Sequence, residues 1–160
     1  MIGVEELRLR EAGMGDADRV LAWRNRPEII ALGSERRPVE ASRHARWFAA
    51  TVGSENRLLL IVELDGEPIG TVRFDRLSEG EWAVSVYLLE VYTGRGLGPV
   101  ALEKGWEILR RRGATAVWAF VREDNPRSVA AFRKAGYEEV AELDVEVPPA
   151  HRALRLTAHA

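Results

Sequence analysis

Three glycines fall within five residues, at Gly94, Gly96 and Gly98, directly before an amphipathic run in VYTGRGLGPVALEKGWEIL. Glycine lets a backbone approach a ligand closely, and successive N–H groups at the start of a helix form a concavity for anions, phosphate above all. Pro99 removes one N–H, but in the first turn of a helix that donor has no partner in any case. The helix dipole adds about 0.3–1 kcal/mol for a negative charge held there. Two familiar phosphate motifs do not account for the stretch. A P-loop requires Gly-Lys-Ser/Thr, which is missing. A dinucleotide fingerprint tolerates Ala101 at its third position but requires a βαβ unit, and the strands before this loop read as antiparallel.

The elements that must hold the loop are legible from periodicity and punctuation. Glu6 to Glu11 alternates with period two, as a strand does. Asp16 is placed to cap a helix carrying Ala17, Val20 and Leu21 and ending near Asn25-Arg26-Pro27. Pro38 suits the first position of a second helix, whose inner stripe is expected to be Ala41, Ala45, Phe48 and Val52. Leu58 to Leu64 is apolar on both faces, like a central strand, and Asp65-Gly66 signals a hairpin into Pro68 to Asp75. A turn at Ser78-Glu79-Gly80 leads to a strand from Glu81 to Glu90. After the glycine loop comes a helix from Pro99 to Arg112, with Leu102, Trp106 and Leu109 inward and Glu107–Arg111 paired outside. Thr115 to Val121 is the next strand. Asn125 caps a helix that begins at Pro126 and stops at Gly136. Strands from about Tyr137 to Val147 and Arg152 to Ala158 complete the order β-α-α-β-β-β-α-β-α-β-β, an α/β (α+β) domain spanning 1–160 with a mixed sheet.

Composition narrows the function classes. A net charge of −2 lacks the basic field of a nucleic-acid binder. No apolar run reaches the ~18 residues of a membrane span. Cysteine is absent, which excludes disulfides, thiolate metal sites and a cysteine nucleophile and fits a cytoplasmic protein. His44, His151 and His159 show no metal-ligand spacing, so no metal is expected.

The glycine loop, the element order and a second motif together resemble the GNAT superfamily of acetyl-CoA-dependent N-acetyltransferases, over nearly the whole chain. That family's pyrophosphate loop reads Arg/Gln-x-x-Gly-x-Gly/Ala; Thr93-Gly94-Arg95-Gly96-Leu97-Gly98 matches it except that Thr93 stands at the first position. The second motif, Asn-x-x-Ser/Ala with a following aromatic, Lys and Gly-Phe, is similar to Asn125, Ser128, Phe132, Lys134 and Gly136-Tyr137. The resemblance implies a GNAT-type, mostly antiparallel sheet flanked by about four helices. It implies acetyl-CoA in a cleft where the strand before the loop splays from the strand after it, with exposed backbone near Leu88, Leu89 and Glu90 pairing along the pantetheine arm. It also implies direct attack of an amine on the thioester, with no acyl-enzyme, so that positioning does most of the work.

Two catalytic positions common in the family are also unfilled. The frequent carboxylate base aligns with Ala83, and the tyrosine that often protonates the leaving thiolate aligns with Phe132. Glu81, two residues before Ala83 on the same strand face, is the candidate base acting through water. Tyr87, on that face too, and Tyr137 are candidate acids. Without a strong base, freeing a lysine amine of pKa ~10.4 costs roughly 4.6 kcal/mol at neutral pH, against about 1.4 kcal/mol for an amine of pKa ~8. The site therefore suits a low-pKa amine.

On the substrate side, Trp23-Arg24-Asn25 ends the first helix, and His44 and Trp47 lie one turn apart on the second. These segments resemble GNAT branches that acetylate nucleotide-linked amino sugars and ribosomal-protein N-termini. Arg24 is then a phosphate ligand, Asn25 a hydrogen-bonding group, and Trp47 a stacking surface, with His44 beside it. The expected partner is a small-molecule amine, with an aminoglycoside or a protein N-terminus as alternatives and a non-catalytic acyl-CoA-binding module as a reading from another class. The expected assembly is a monomer or homodimer without nucleic acid or membrane.

Overall fold

The computed structural model describes residues 6–32, 37–141 and 145–158. Seven strands form one sheet: β1 (Leu7–Glu11), β2 (Arg57–Leu64), β3 (Glu67–Ser78), β4 (Glu81–Leu88), β5 (Ala116–Arg122), β6 (Glu138–Glu139) and β7 (His151–Thr157). Their spatial order is β1-β2-β3-β4-β5-β7-β6. Every adjacent pair is antiparallel except β4 with β5. Five helices accompany them: α1 (Ala17–Arg24), α2 (Pro27–Ile30), α3 (Ala41–Thr51), α4 (Leu97–Arg111) and α5 (Pro126–Lys134).

Period-two burial divides the core between the two faces of the sheet. Leu58, Leu60, Val72, Phe74, Val84 and Leu88 pack with Leu102 and Leu109 of α4 and Phe132 of α5. Leu59 and Ile61 point the other way, onto Val20 and Trp23 of α1 and Phe48 of α3. The close approach of α4 depends on Gly105: a Cβ there would lie 3.1 Å from Phe74 and 3.3 Å from Val72. At Gly70 a Cβ would meet the Tyr87 carbonyl oxygen at 2.2 Å, so only glycine fits beneath that part of β4.

The β2–β3 hairpin turns through Asp65 and Gly66 at φ 49° and 85°, the left-handed pair that Asp-Gly signals. Asn125 caps α5 by accepting a hydrogen bond from the Ser128 amide at 3.2 Å, and Gly136 follows that helix with φ 98°. Glu107 pairs with Arg111 at 3.1 Å, and also with Arg110 at 2.8 Å.

Other expectations are corrected. α3 begins at Ala41, not Pro38, with Glu40 as its extended N-cap. Ala41 and Ala45 are exposed, and the inward stripe is His44, Phe48 and Thr51, because α3 is rotated so that the imidazole faces α1. Asp16 makes no cap bond to α1. Its carboxylate instead takes both Nη atoms of Arg10 (2.8 and 2.9 Å), the Gly13 amide (2.9 Å) and Arg19 (2.9 Å). The Arg10 hydrogen bonds hold the buried carboxyl at about 2, below its ordinary value, against the opposing effect of burial. Pro27, expected only to end α1, opens the one-turn α2. The long strand expected from Tyr137 shrinks to Glu138–Glu139, because only these residues and the Val140 amide bond to β7 before the chain leaves the edge. Residues 142–144 of that expected strand, like His159, lie outside the described residues.

Candidate active site

β4 and β5 pair over only three residues each, Glu81–Ala83 against Ala116–Trp118. Beyond them the strands part, and a cavity of about 620 Å³ opens between Val84–Leu88 on one side and Phe120–Arg122 on the other. One end of it is bounded by Thr93, Gly94, Gly96, Gly98, Asn125, Arg127, Ser128 and Phe132. Its lining also includes Arg24, Ile29, Ile30 and Arg37, with Arg73 and Tyr87 from the sheet and His151 from β7.

The loop end is built as an anion cradle. Gly94 and Gly96 have φ 75° and 76°, and Gly96 is the left-handed N-cap of α4. The amides of residues 94–98 find no acceptor among the described residues. A Cβ at Gly94, Gly96 or Gly98 would meet nothing within 4 Å. Unsatisfied donors at the positive end of a fifteen-residue helix, with open space before them, suit a diphosphate. Arg127 Nη1 donates to Thr93 Oγ1 at 3.3 Å, bringing a guanidinium to the same end and tying α5 to the loop.

Not every residue expected in this half lines the cavity. Leu88 does, but the Leu89 amide donates to Ile69 O at 2.8 Å and Glu90 starts a 3₁₀ turn (Glu90–Tyr92), so the open edge of the strand lies earlier, at 84–88. Arg95 is turned onto Tyr92, its guanidinium carbon 5.5 Å from the ring centroid. Leu97 packs into the core, and Lys134 is exposed in the last turn of α5; neither side chain borders the cavity.

Glu81 is not brought to the chemistry. It sits where β4 and β5 are still paired, accepting from Trp118 Nε1 at 3.1 Å and Ser78 Oγ at 3.2 Å. The alternation that places it on the face of Tyr87 says nothing of its distance along the strand, and that distance removes it from the cavity. Tyr87 does line the cavity. Its hydroxyl is buried without a hydrogen-bond partner. Burial pushes the phenol up to about 12, with the Thr71 hydroxyl across the ladder moderating the shift. The Tyr137 hydroxyl is equally buried and unpartnered but does not border the cavity; its ring packs edge-on against Phe132 at 5.0 Å.

Among the expected acceptor residues only Arg24 borders this cavity. Asn25 is a clamp: its amide donates to Val39 O at 3.0 Å and accepts from Val39 N at 2.6 Å, pinning the chain before α3. His44 is 2% exposed, with Nε2 3.2 Å from Ala17 O, and burial lowers its pKa, so the neutral ring joins α3 to α1. Trp47 carries the Arg24 and Arg73 guanidiniums at 4.6 and 5.5 Å from its ring centroid and borders a neighbouring polar cleft with Asn56, Arg57 and Arg76. It is a platform for the arginines of the site.

Sequence reasoning missed Arg37, Arg73, Arg122, Arg127 and His151. Arg73 had a signal, as a charge between Val72 and Phe74 in a strand. The others are recognisable only once the splayed strands bring them together.

The acetyltransferase (GNAT) family model matches residues 17–137. An L-methionine sulfoximine/L-methionine sulfone acetyltransferase of Pseudomonas paraeruginosa is 26% identical over 142 residues, covering 81% of this chain and 79% of that protein. An aminoglycoside acetyltransferase in complex with coenzyme A superposes with a TM-score of 0.82 at 20% identity, over 95% of each chain. A putative acetyltransferase of Salmonella typhimurium with its cofactor acetyl-CoA has a TM-score of 0.75 at 22% identity, over 97% of this chain and 96% of that one. The chain belongs to the GNAT family and is an acetyl-CoA-dependent N-acetyltransferase.

Proposed function

We propose that the acceptor is a small primary amine of low pKa that also carries negative charge, with the amino group of a nucleotide-linked sugar as the first candidate. The observation that carries this reading is the charge of the cavity. Arg24, Arg37, Arg73, Arg122 and Arg127 line it, and no Asp or Glu does among the described residues. Guanidiniums recognise phosphate and carboxylate in bidentate fashion. A polycationic aminoglycoside would find no carboxylate in the lining among the described residues, although Asp75 and Asp124 pair with Arg73 and Arg122 from outside it, and this disfavours that alternative. A second reading is an α-amino-acid-like acceptor, whose carboxylate the same arginines would hold; it is favoured by the substrates named for the Pseudomonas relative. A protein N-terminus offers no fixed anion and fits less well.

Acetyl-CoA supplies the acetyl group as a thioester open to attack by an amine. In this reading the 94–98 amides and Arg127 hold its diphosphate, the open edge of β4 from Val84 to Leu88 aligns its arm, and the arginines at the α2 end orient the acceptor. Tyr87 keeps its proton throughout the neutral range and so acts as a donor to the leaving sulfur, the task that Phe132 has no hydroxyl to perform.

Release of free thiol from acetyl-CoA, measured across a panel of amines, tests the acceptor. A nucleotide-linked amino sugar or methionine sulfone should give the highest kcat/KM. Kanamycin or a lysine peptide as the best substrate would overturn the reading.

A further inference from the structure

We propose that His151 is the general base that frees the acceptor amine; the inference rests on the acetyl-transfer reading and supplies the group that Ala83 cannot. His151 is the only histidine bordering the cavity among the described residues, and no carboxylate competes with it there. Its Nδ1 lies 2.8 Å from Pro149 O. A carbonyl oxygen only accepts, so Nδ1 carries a hydrogen, and in the neutral ring the lone pair is left on Nε2. The local chain enforces this: the His151 amide donates to Pro148 O at 3.3 Å and the Glu123 amide to Ala150 O at 2.9 Å, fixing the turn that presents the ring.

The position is tied to α2 through Arg122. His151 pairs in register with Arg122 of β5, and Arg122 Nη1 donates to Ala31 O at 3.0 Å, just past α2. The charged groups around the imidazole are therefore Arg122 from β5 and Asp124 beyond it, which Arg122 holds at 2.5 Å, with Glu123 and Arg152 adjacent in the chain. The ring thus shares one cavity lining with Ile29, Ile30 and Arg37.

The step balances. An acceptor ammonium gives one proton to Nε2, and the freed nitrogen lone pair bonds to the thioester carbonyl carbon. The C–S bond breaks with its electron pair on sulfur. Tyr87 gives its proton to that sulfur as the CoA thiol forms, the second proton lost by nitrogen restores the Tyr87 hydroxyl, and the proton held by His151 passes to solvent.

The test is kcat/KM for the amine as a function of pH in wild type, His151→Gln and His151→Asn. Near pH 7 both variants should fall about 100-fold, the low end of general-base effects. The acid limb that an essential base imposes on the wild-type profile should vanish, and the deficit should shrink toward about fivefold at high pH, where the amine is already free. Added imidazole should restore part of the rate. Acetyl-CoA affinity and Tm should stay within error of wild type, since the half-exposed ring is not in the core. A loss equal at every pH, or a wild-type profile in the variants, overturns the role of His151 while leaving acetyl transfer standing. If wild-type protein binds acetyl-CoA yet acetylates no amine, the acceptor reading fails and this base with it.

Discussion

Gly98→Ala separates the stability of the chain from its grip on acetyl-CoA. Gly98 is the second residue of α4, its φ lies outside the left-handed region, and a Cβ there meets nothing within 4 Å. Alanine is therefore free of strain, and its lower backbone entropy in a helix should raise stability by about 0.5–1 kcal/mol. The new methyl, however, projects where the diphosphate must approach the 94–98 amides. Displacing one hydrogen bond to a charged oxygen costs about 1.5–3 kcal/mol, so Kd for acetyl-CoA should rise roughly 10- to 150-fold. With ligand at 100 times the wild-type Kd, wild type gains about 2.7 kcal/mol on binding, and a 30-fold weaker variant only about 0.9 kcal/mol. Calorimetric titration and melting curves with and without acetyl-CoA read both quantities. An unchanged Kd would mean that these amides do not hold the diphosphate, and the cradle argument would collapse. Gly96→Ala is the contrasting case: at φ 76° alanine costs about 1–2 kcal/mol before any ligand is added.

Three further outcomes follow from particular contacts. Tyr87→Phe removes a buried, unpartnered hydroxyl, so the free protein should gain up to about 1 kcal/mol while kcat falls roughly 100-fold with acetyl-CoA affinity unchanged; a wild-type kcat would remove Tyr87 from the chemistry. Glu81→Ala should leave kcat/KM within about twofold, yet cost about 1–2 kcal/mol of stability through the lost Trp118 bond; strong inactivation without unfolding would restore it as a base. Asp16→Asn should cost about 1–2 kcal/mol at pH 7, discounted because Arg10 and Arg19 are 39% and 42% exposed. Since Asp16 is held at about 2, below its ordinary 3.8, its contribution is complete above about pH 4 and is lost as pH falls toward 2. Urea melts of wild type should show that acid-dependent loss, and the Asn variant should lack its share of it.

Elements whose cause is local were legible before any coordinates. Asp65-Gly66 needs only its own backbone preference to make the hairpin, and Asn125-Pro126 needs only its own side chain and ring to start α5. Gly94, Gly96 and Gly98 likewise announce an open backbone at the mouth of α4. The failures share a different cause. Asn25 and His44 are polar residues off the expected apolar stripe, which reads as a ligand-facing surface; in the fold both turn inward, Asn25 onto Val39 and His44 through Nε2 onto the Ala17 carbonyl, with Nδ1 buried and unpartnered. A buried polar group with a backbone partner leaves the same trace in a sequence as one awaiting a substrate. Arg73, Arg122 and His151 fail in the opposite direction. Each reads as an ordinary strand residue, and only the parting of β4 from β5 gives them a common cavity.

That parting is itself a consequence of topology. β1 to β4 form one antiparallel group, while β5, β7 and β6 form a second, with β7 between the other two, joined to the first by the parallel contact of Glu81–Ala83 with Ala116–Trp118. A parallel neighbour requires a crossover, and α4 supplies it, so the helix N-terminus necessarily lies at the end of β4 where the strands diverge. Twist accumulates separately in each group, and three residues of pairing are too few to hold the edges together further along. An open strand edge is ordinarily a hazard for aggregation. Here it is sunk within a cavity, with unpaired amides at one end and guanidiniums along it, so that the occupant best suited to it is extended, anionic and able to pair with backbone. The same three-residue junction thus makes the cleft, points α4 at it, and brings His151 and Tyr87 into the lining of one cavity.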